Sequence, residues 1–190
     1  MPDREQHQAA ALISEIARGD RRALGLLITD HGRRLTMVAT RFLGREDEAE
    51  EVVQDVFVRV WRHAGSYDPA KAKVSTWLYR IAVNLCIDRQ RKRALLRLVG
   101  LDDTSTEVPD AQPTAADRIY GAQRLAKVRA AMDNLPSRQR MALLLCAVAE
   151  LGNSEIADAM GISVGAVEQL LVRARRSLRQ ISDQDEDMMT

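Results

Sequence analysis

The stretch SEIADAMGISVGAVEQLLVRARRSLRQ, residues 154–180, contains two short helical patterns that meet at a glycine. Apolar residues give the first pattern one buried side, and Gly161 can adopt the left-handed conformation that a tight turn needs. Ser163 then stands where the N-cap of the second helix belongs. Small residues and arginines on the outer side of that helix suit close approach to duplex DNA. The stretch therefore predicts a helix-turn-helix.

The outward residues of the second helix, together with its cap, are the candidate DNA contacts. They are Ser163, Gly165, Ala166, Glu168, Gln169, Arg173 and Arg176. A helical hairpin with a solvated basic face is the alternative interpretation of this segment. Even as a helix-turn-helix, the segment alone fits a repressor or an activator as well as any other DNA-binding protein.

Composition extends the helical prediction to the whole chain of 190 residues, of which only 4% are aromatic. Good helix formers dominate and β-branched residues are sparse. We predict an all-α protein of two small helical domains, the second containing the helix-turn-helix. The chain begins without a signal-peptide pattern, and no apolar run approaches the roughly 20 residues of a membrane span. We therefore expect a soluble, cytoplasmic protein without membrane contact of its own.

An acidic, proline-containing segment after Gly100 divides the chain, since it offers almost nothing to a core. We expect a first domain at residues 1–98, a flexible acidic linker at 99–116, a second domain at 117–182 and an acidic tail at 183–190. Helical periodicity in the two domains predicts helices at 9–43 with a soft break at Gly19, 46–63, 76–97, 117–134, 137–149, 154–160 and 164–181.

The segment VSTWLYRIAVNLCIDRQRKR, residues 74–93, carries a different signal. Here and in the preceding loop, aromatic side chains lie beside basic and polar ones, a mixture that suits unpaired bases better than an intact duplex. The candidate residues are Tyr67, Lys73, Trp77, Arg80 and Asn84. The alternative is that Trp77 is a core residue and the arginines form a solvated helix end.

Two longer segments resemble one protein family. Residues 41–69, RFLGREDEAEEVVQDVFVRVWRHAGSYDP, with 75–93, STWLYRIAVNLCIDRQRKR, resemble the second region of extracytoplasmic-function sigma factors of the sigma-70 family. Residues 135–179, beginning LPSRQRMALLLCAVAELGNSE, resemble the fourth region. The matches occur in the family's order and leave the acidic linker between them.

The resemblance implies that the chain binds core RNA polymerase and opens promoter DNA. Polymerase contacts would come from Glu51, Gln54, Asp55 and Arg59, whose charged helix face otherwise suggests only solubility. The −10 element would meet the loop at 66–75 with Lys73, Trp77, Arg80 and Asn84, and the −35 element would meet the helix from Val164. An anti-sigma factor is a further expected partner. Where many members carry a basic residue and a serine, this chain has Glu168 and Gln169.

Three further expectations concern the oligomeric state, enzyme activity and the two cysteines. A dimeric helix-turn-helix regulator that acts without polymerase is the rival interpretation, whereas the resemblance implies a monomer when free. RNA synthesis belongs to the polymerase, so we expect no enzyme activity, no cofactor and no metal site. Cys86 and Cys146 lack the paired spacing of a metal site or disulfide framework and are predicted to be buried free thiols.

Overall fold

The computed structural model describes residues 2–99 and 130–187, with side chains for residues 6–99 and 130–180. Every regular element in these ranges is helical, which confirms the predicted all-α fold. The elements are α1 (Pro2–Ala17), α2 (Arg21–Leu43), α3 (Glu46–His63), a 3-10 turn (Ala64–Ser66), α4 (Val74–Leu98), α5 (Ser137–Ala147), α6 (Asn153–Met160) and α7 (Val164–Asp187). Residues 130–133 are helical as well. The predicted linker, and most of the helix predicted at 117–134, lie outside the described residues.

Local capping explains where several helices begin and end. The Asp20 carboxylate accepts hydrogen bonds from the backbone N–H groups of Arg22 at 2.7 Å and Ala23 at 3.3 Å, which fixes the start of α2. Gly44 ends α2 in the left-handed conformation, with φ +74°. The bounds of α3 agree with the sequence pattern. The last helix, α7, continues to Asp187, beyond the predicted end at residue 181.

Helices α1 to α4 pack around one apolar core in the N-terminal half. Because apolar residues recur at helical spacing on each helix, every helix buries one side and leaves the other exposed. The large side chains that are almost fully buried here include Ile13, Leu27, Leu35, Phe42, Val52, Val56, Val60 and Leu78. The C-terminal helices α5, α6 and α7 bury Met141, Leu145, Ile156 and Val167 in the same way.

The two halves also touch each other, because α4 packs against α6 and α2 packs against α5. Their buried residues form one continuous apolar cluster. At this boundary the guanidinium group of Arg140, on α5, lies 5.1 Å from the centre of the Phe42 ring on α2. Nothing in the sequence predicts this contact.

Candidate nucleic-acid interface

The helix-turn-helix has the turn that its sequence predicts. Gly161 lies in the left-handed region with φ +64°, where a residue without Cβ is favoured. The Ser163 hydroxyl accepts a hydrogen bond from the backbone N–H of Ala166 at 3.2 Å and thereby caps α7. Val167 and Ala174 are fully buried on the inner side of α7. The angle between α6 and α7 is therefore held by the turn and by apolar packing together.

The predicted DNA-contacting residues lie on the outer side of α7. Ser163, Gly165, Glu168, Gln169, Arg173 and Arg176 are exposed, and Ala166 is half-buried. Arg173 and Arg176 are one helical turn apart, so both can reach phosphates from the side that also carries Gln169. The exposed side of α7 thus presents small, polar and cationic residues to solvent.

Replacing Gly161 with alanine is expected to lower the free energy of unfolding by about 1 kcal/mol, since a Cβ is strained at positive φ. Space is not the reason, because no atom lies within 4 Å of the added Cβ. Gly165→Ala is the matched control: its site is equally open but helical, so it should raise stability by up to about 1 kcal/mol. Urea unfolding of both variants checks the difference, and equal effects would contradict it.

The loop before α4 is tied to the N-terminal helix. Gln6 donates a hydrogen bond from its Nε2 to the Tyr67 hydroxyl at 3.2 Å, and its Oε1 accepts one from the Val74 N–H at 3.3 Å. Tyr67 in turn donates from its hydroxyl to the carbonyl of Ala72 at 2.8 Å. Tyr67, predicted as a DNA contact, is thus half-buried and shapes the loop.

An open groove joins the end of α3 to the start of α4. It has a volume of about 350 Å³, and its lining residues are Arg59, Arg62, His63, Ser66, Trp77 and Ile81. The Trp77 ring packs on the Tyr67 ring with centres 5.2 Å apart, and Trp77 is only half-buried. Of the remaining predicted residues, Arg80 and Asn84 are exposed on α4. An aromatic face beside cationic side chains can stack a base and neutralise its phosphate.

Sequence reasoning missed Arg62 and His63 in this groove. The sequence predicted that Arg59 contacts polymerase. In the structure, Arg59 also lines this groove. The available signal was their position at the end of α3, directly before the loop that carries Tyr67.

The predicted polymerase-contacting residues, Glu51, Gln54, Asp55 and Arg59, are all exposed on α3. Two of them form ion pairs with Arg89, which the sequence analysis did not connect with this face. Arg89 of α4 lies 2.5 Å from Glu51 and 3.7 Å from Asp55, measured between guanidinium nitrogen and carboxylate oxygen. The basic end of α4 thus orients the acidic face of α3.

Lys73 lies in the loop before α4 and is predicted to contact the DNA backbone. In the structure it has a partner in the C-terminal half of the molecule. Its Nζ lies 2.9 Å from Oε1 of Glu155 on α6, whose other carboxylate oxygen accepts the Gly152 N–H at 3.0 Å. Partial burial alone would raise the pKa of Glu155, but the hydrogen bonds from Lys73 and Gly152 outweigh it and lower the pKa. The Glu155 carboxylate is therefore charged at neutral pH.

The two cysteines and the potential metal ligands were considered as further functional sites in the described part of the chain. Cys86 is buried as predicted, and burial raises the pKa of its thiol to about 12, whereas Cys146 is half-buried. Among residues 2–99 and 130–187, His, Cys, Asp and Glu side chains form no group that could hold a metal ion. In the same part of the chain, no helix combines the length and apolar character needed to cross a membrane.

Comparisons with known proteins identify both halves. The family model "Sigma-70 region 2" matches residues 27–95, and "Sigma-70, region 4" matches residues 125–178. The ECF RNA polymerase sigma factor SigE of Mycolicibacterium smegmatis is 34% identical over 154 residues, which is 80% of this chain but 59% of SigE. RNA polymerase sigma factor CnrH of Cupriavidus metallidurans is 30% identical, with 93% of this chain and 95% of CnrH covered.

Solved structures give the same result. The structure of CnrH in complex with the cytosolic domain of CnrY has a TM-score of 0.71 and 30% identity, and covers 94% of this chain and 99% of that one. RpoE of Bartonella quintana, in complex with the anti-sigma factor NepR, has a TM-score of 0.66 and 24% identity, with 84% and 96% covered. The likeness to RpoE shows the fold alone.

Proposed function

The chain belongs to the extracytoplasmic-function sigma factors of the sigma-70 family, and on this premise we propose how its surfaces select and open a promoter. The observation that carries the proposal is the presence of both sigma-70 regions, in order, on one chain. We call residues 27–95 region 2 and residues 125–178 region 4, after the matching family models. We assign the domains themselves to residues 1–98 and 117–182, with a connecting linker at 99–116.

Region 4 recognises the −35 element as a duplex. The exposed side of α7 enters the major groove, where Arg173 and Arg176 bind phosphates or guanine edges. Glu168 cannot bind phosphate, but its carboxylate can accept from a cytosine amino group. The acidic residue at this position therefore favours a −35 sequence with cytosine opposite Glu168.

Region 2 captures the −10 element as the strands separate. Extruding a base costs a few kcal/mol, which stacking and hydrogen bonding must offset. Trp77 supplies the stacking face in the groove, while Lys73, Arg80 and Asn84 hold the strand on the exposed side of α4 and its preceding loop. Tyr67 contributes by supporting Trp77 and by fixing the loop.

Partner proteins occupy the remaining surfaces. Core RNA polymerase meets the outer face of α3 through Glu51, Gln54, Asp55 and Arg59, with Arg89 holding two of the carboxylates in place. An anti-sigma factor controls access to these surfaces, a proposal supported by the complexes in which CnrH and RpoE were solved. Catalysis of RNA synthesis stays with the polymerase, so the chain works as a non-enzymatic subunit in the cytoplasm. It needs no cofactor and is a monomer when free.

Run-off transcription on fragmented host DNA tests the proposal directly. Core polymerase is assayed with and without the protein, and the 5′ ends of new RNA are mapped. We expect new starts that share a two-part motif upstream. If a second sigma factor works in parallel and this protein produces no new starts, the proposal is contradicted, and a dimeric repressor becomes the better explanation.

Replacing Arg173 with alanine is expected to weaken −35 binding and to reduce the slope of log affinity against log salt by about one, because one phosphate contact is lost. The measurement is binding of the assembled holoenzyme to promoter duplex between about 50 and 200 mM salt. Arg33→Ala is the control, since it removes the same charge from an exposed site on α2. An unchanged slope in the Arg173 variant would remove this residue from the interface.

A further inference from the structure

The amide group of Gln6 connects α1 to the start of α4. Lys73 stands at the capping position of α4, and a lysine side chain has no acceptor for the N–H groups of the first helical turn. Gln6 supplies this acceptor from another helix, since its Oε1 lies 3.3 Å from the Val74 nitrogen. The first turn of α4 closes with a hydrogen bond from the Trp77 N–H to the Lys73 carbonyl at 3.0 Å. Gln6 thus caps the turn that leads into Trp77.

The nitrogen of the same amide contacts the residue that supports the Trp77 ring. Gln6 Nε2 donates to the Tyr67 hydroxyl at 3.2 Å, and that hydroxyl donates to the Ala72 carbonyl at 2.8 Å. The Tyr67 ring packs on the Trp77 ring, with centres 5.2 Å apart. One side chain therefore acts on Trp77 in two ways, through the backbone of α4 and through the neighbouring ring.

Hydrogen bonds are important at this loop because an open cleft lies between it and α1. The cleft has a volume of about 400 Å³, and small residues such as Ala10, Ala17 and Gly65 line it together with Pro69. On the loop itself, Pro69 and Lys71 are exposed. An exposed loop beside an open cleft has few buried apolar contacts to hold it. Its position therefore depends on the hydrogen bonds of Gln6 and Tyr67.

We propose that Gln6 is a positioning residue for capture of the −10 strand: its amide holds the loop and the start of α4 in the conformation in which Trp77 stacks an extruded base. This role rests on the proposed −10 function and deepens it. Without the amide the loop adopts other conformations, and the apparent affinity for the −10 strand falls with the fraction of competent molecules. Phosphate contacts carry no sequence information, so selectivity for the −10 sequence falls as well.

Gln6→Ala tests the proposal in holoenzyme assembled from core polymerase and the full chain. The probes are two fluorescein-labelled single strands, one with the −10 sequence of the mapped promoters and one with the same bases in scrambled order. We expect the ratio of the two affinities to fall about threefold to tenfold, which is the effect of one or two hydrogen bonds. Gln8→Ala is the matched control, since it removes the same side chain from an exposed position on α1.

The ratio separates positioning from a general loss of stability. Destabilisation lowers the active fraction and weakens the binding of both strands by the same factor, so it leaves the ratio unchanged. Tyr67→Phe, alone and combined with Gln6→Ala, tests the path through the tyrosine, because it keeps the ring and removes the hydroxyl. The double variant should lose less selectivity than the product of the two single losses, since part of the Gln6 effect is already gone.

Three results would count against the proposal, and each has a different meaning. If Gln6→Ala changes the ratio no more than Gln8→Ala, Gln6 does not position the loop. If the two single losses multiply in the double variant, the path through Tyr67 is wrong. If wild-type holoenzyme binds both strands equally, the proposed −10 function fails, and the role of Gln6 fails with it.

Discussion

Replacing Trp77 with alanine is expected to lower transcription from a linear promoter by at least about fivefold. The side chain is the aromatic wall of the groove between α3 and α4, and loss of base stacking costs about 1–3 kcal/mol per base. The deficit should be largest in the step that opens DNA, because Trp77 is the largest aromatic ring among the described residues that line the groove. Transcription from a template already mismatched at the −10 element should recover part of the loss.

Folding must be separated from base capture in this experiment, since Trp77 also packs on Tyr67 and on the core. Trp77→Phe keeps an aromatic face and should retain most of the activity, whereas Trp77→Leu fills a similar space without one and should not. Circular dichroism and binding to core polymerase monitor the fold of each variant. Full activity of the leucine variant would show that Trp77 acts only through packing.

Replacing Phe42 with alanine should cost about 3–5 kcal/mol of unfolding free energy, which is the usual range for a buried phenylalanine. The ring is 1% exposed in the core of region 2, and the Arg140 guanidinium lies 5.1 Å from its centre. Arg140 pairs with Asp133 at 2.9 Å, so the mutation removes an apolar partner from a cation that stays buried. Urea unfolding followed by far-UV circular dichroism measures the loss.

Phe42→Leu is the matched control for volume, because it leaves an apolar side chain in the core but removes the aromatic face beneath Arg140. Its cost should be nearer 1 kcal/mol. If the alanine variant unfolds at the same urea concentration as the wild type, the core described around α2 does not exist as such. Equal and large losses in both variants would show that ring shape, not volume, governs this site.

The individual helices could be predicted from the sequence because the residues that define each helix lie close together in the chain. The apolar spacing on α3, Gly44 after α2, and Gly161 with Ser163 before α7 each act within a few residues. The exposed faces of α3 and α7 followed from the same periodicity. The extension of α7 to Asp187 was missed, since an acidic stretch gives no apolar pattern to count.

Contacts between residues that are distant in the sequence could not be predicted from such local patterns. Arg89 bridges to Glu51 and Asp55 across two helices, and Lys73 meets Glu155 across two regions. A charged residue on an exposed face has the same local pattern whether it faces water or a partner. Sequence reasoning therefore located the candidate surfaces but not the side chains that orient or occupy them.

The link from Gln6 to Tyr67 and Val74 has a consequence for how promoter preference diverges. Residue 6 precedes residue 27, where the match to the region 2 model begins, yet it holds both ends of the loop that carries Lys73. A substitution at this position would reshape the loop while every DNA-facing side chain stayed the same. Two related chains with identical recognition residues can thus evolve different −10 preferences through a helix that carries none of the proposed DNA contacts.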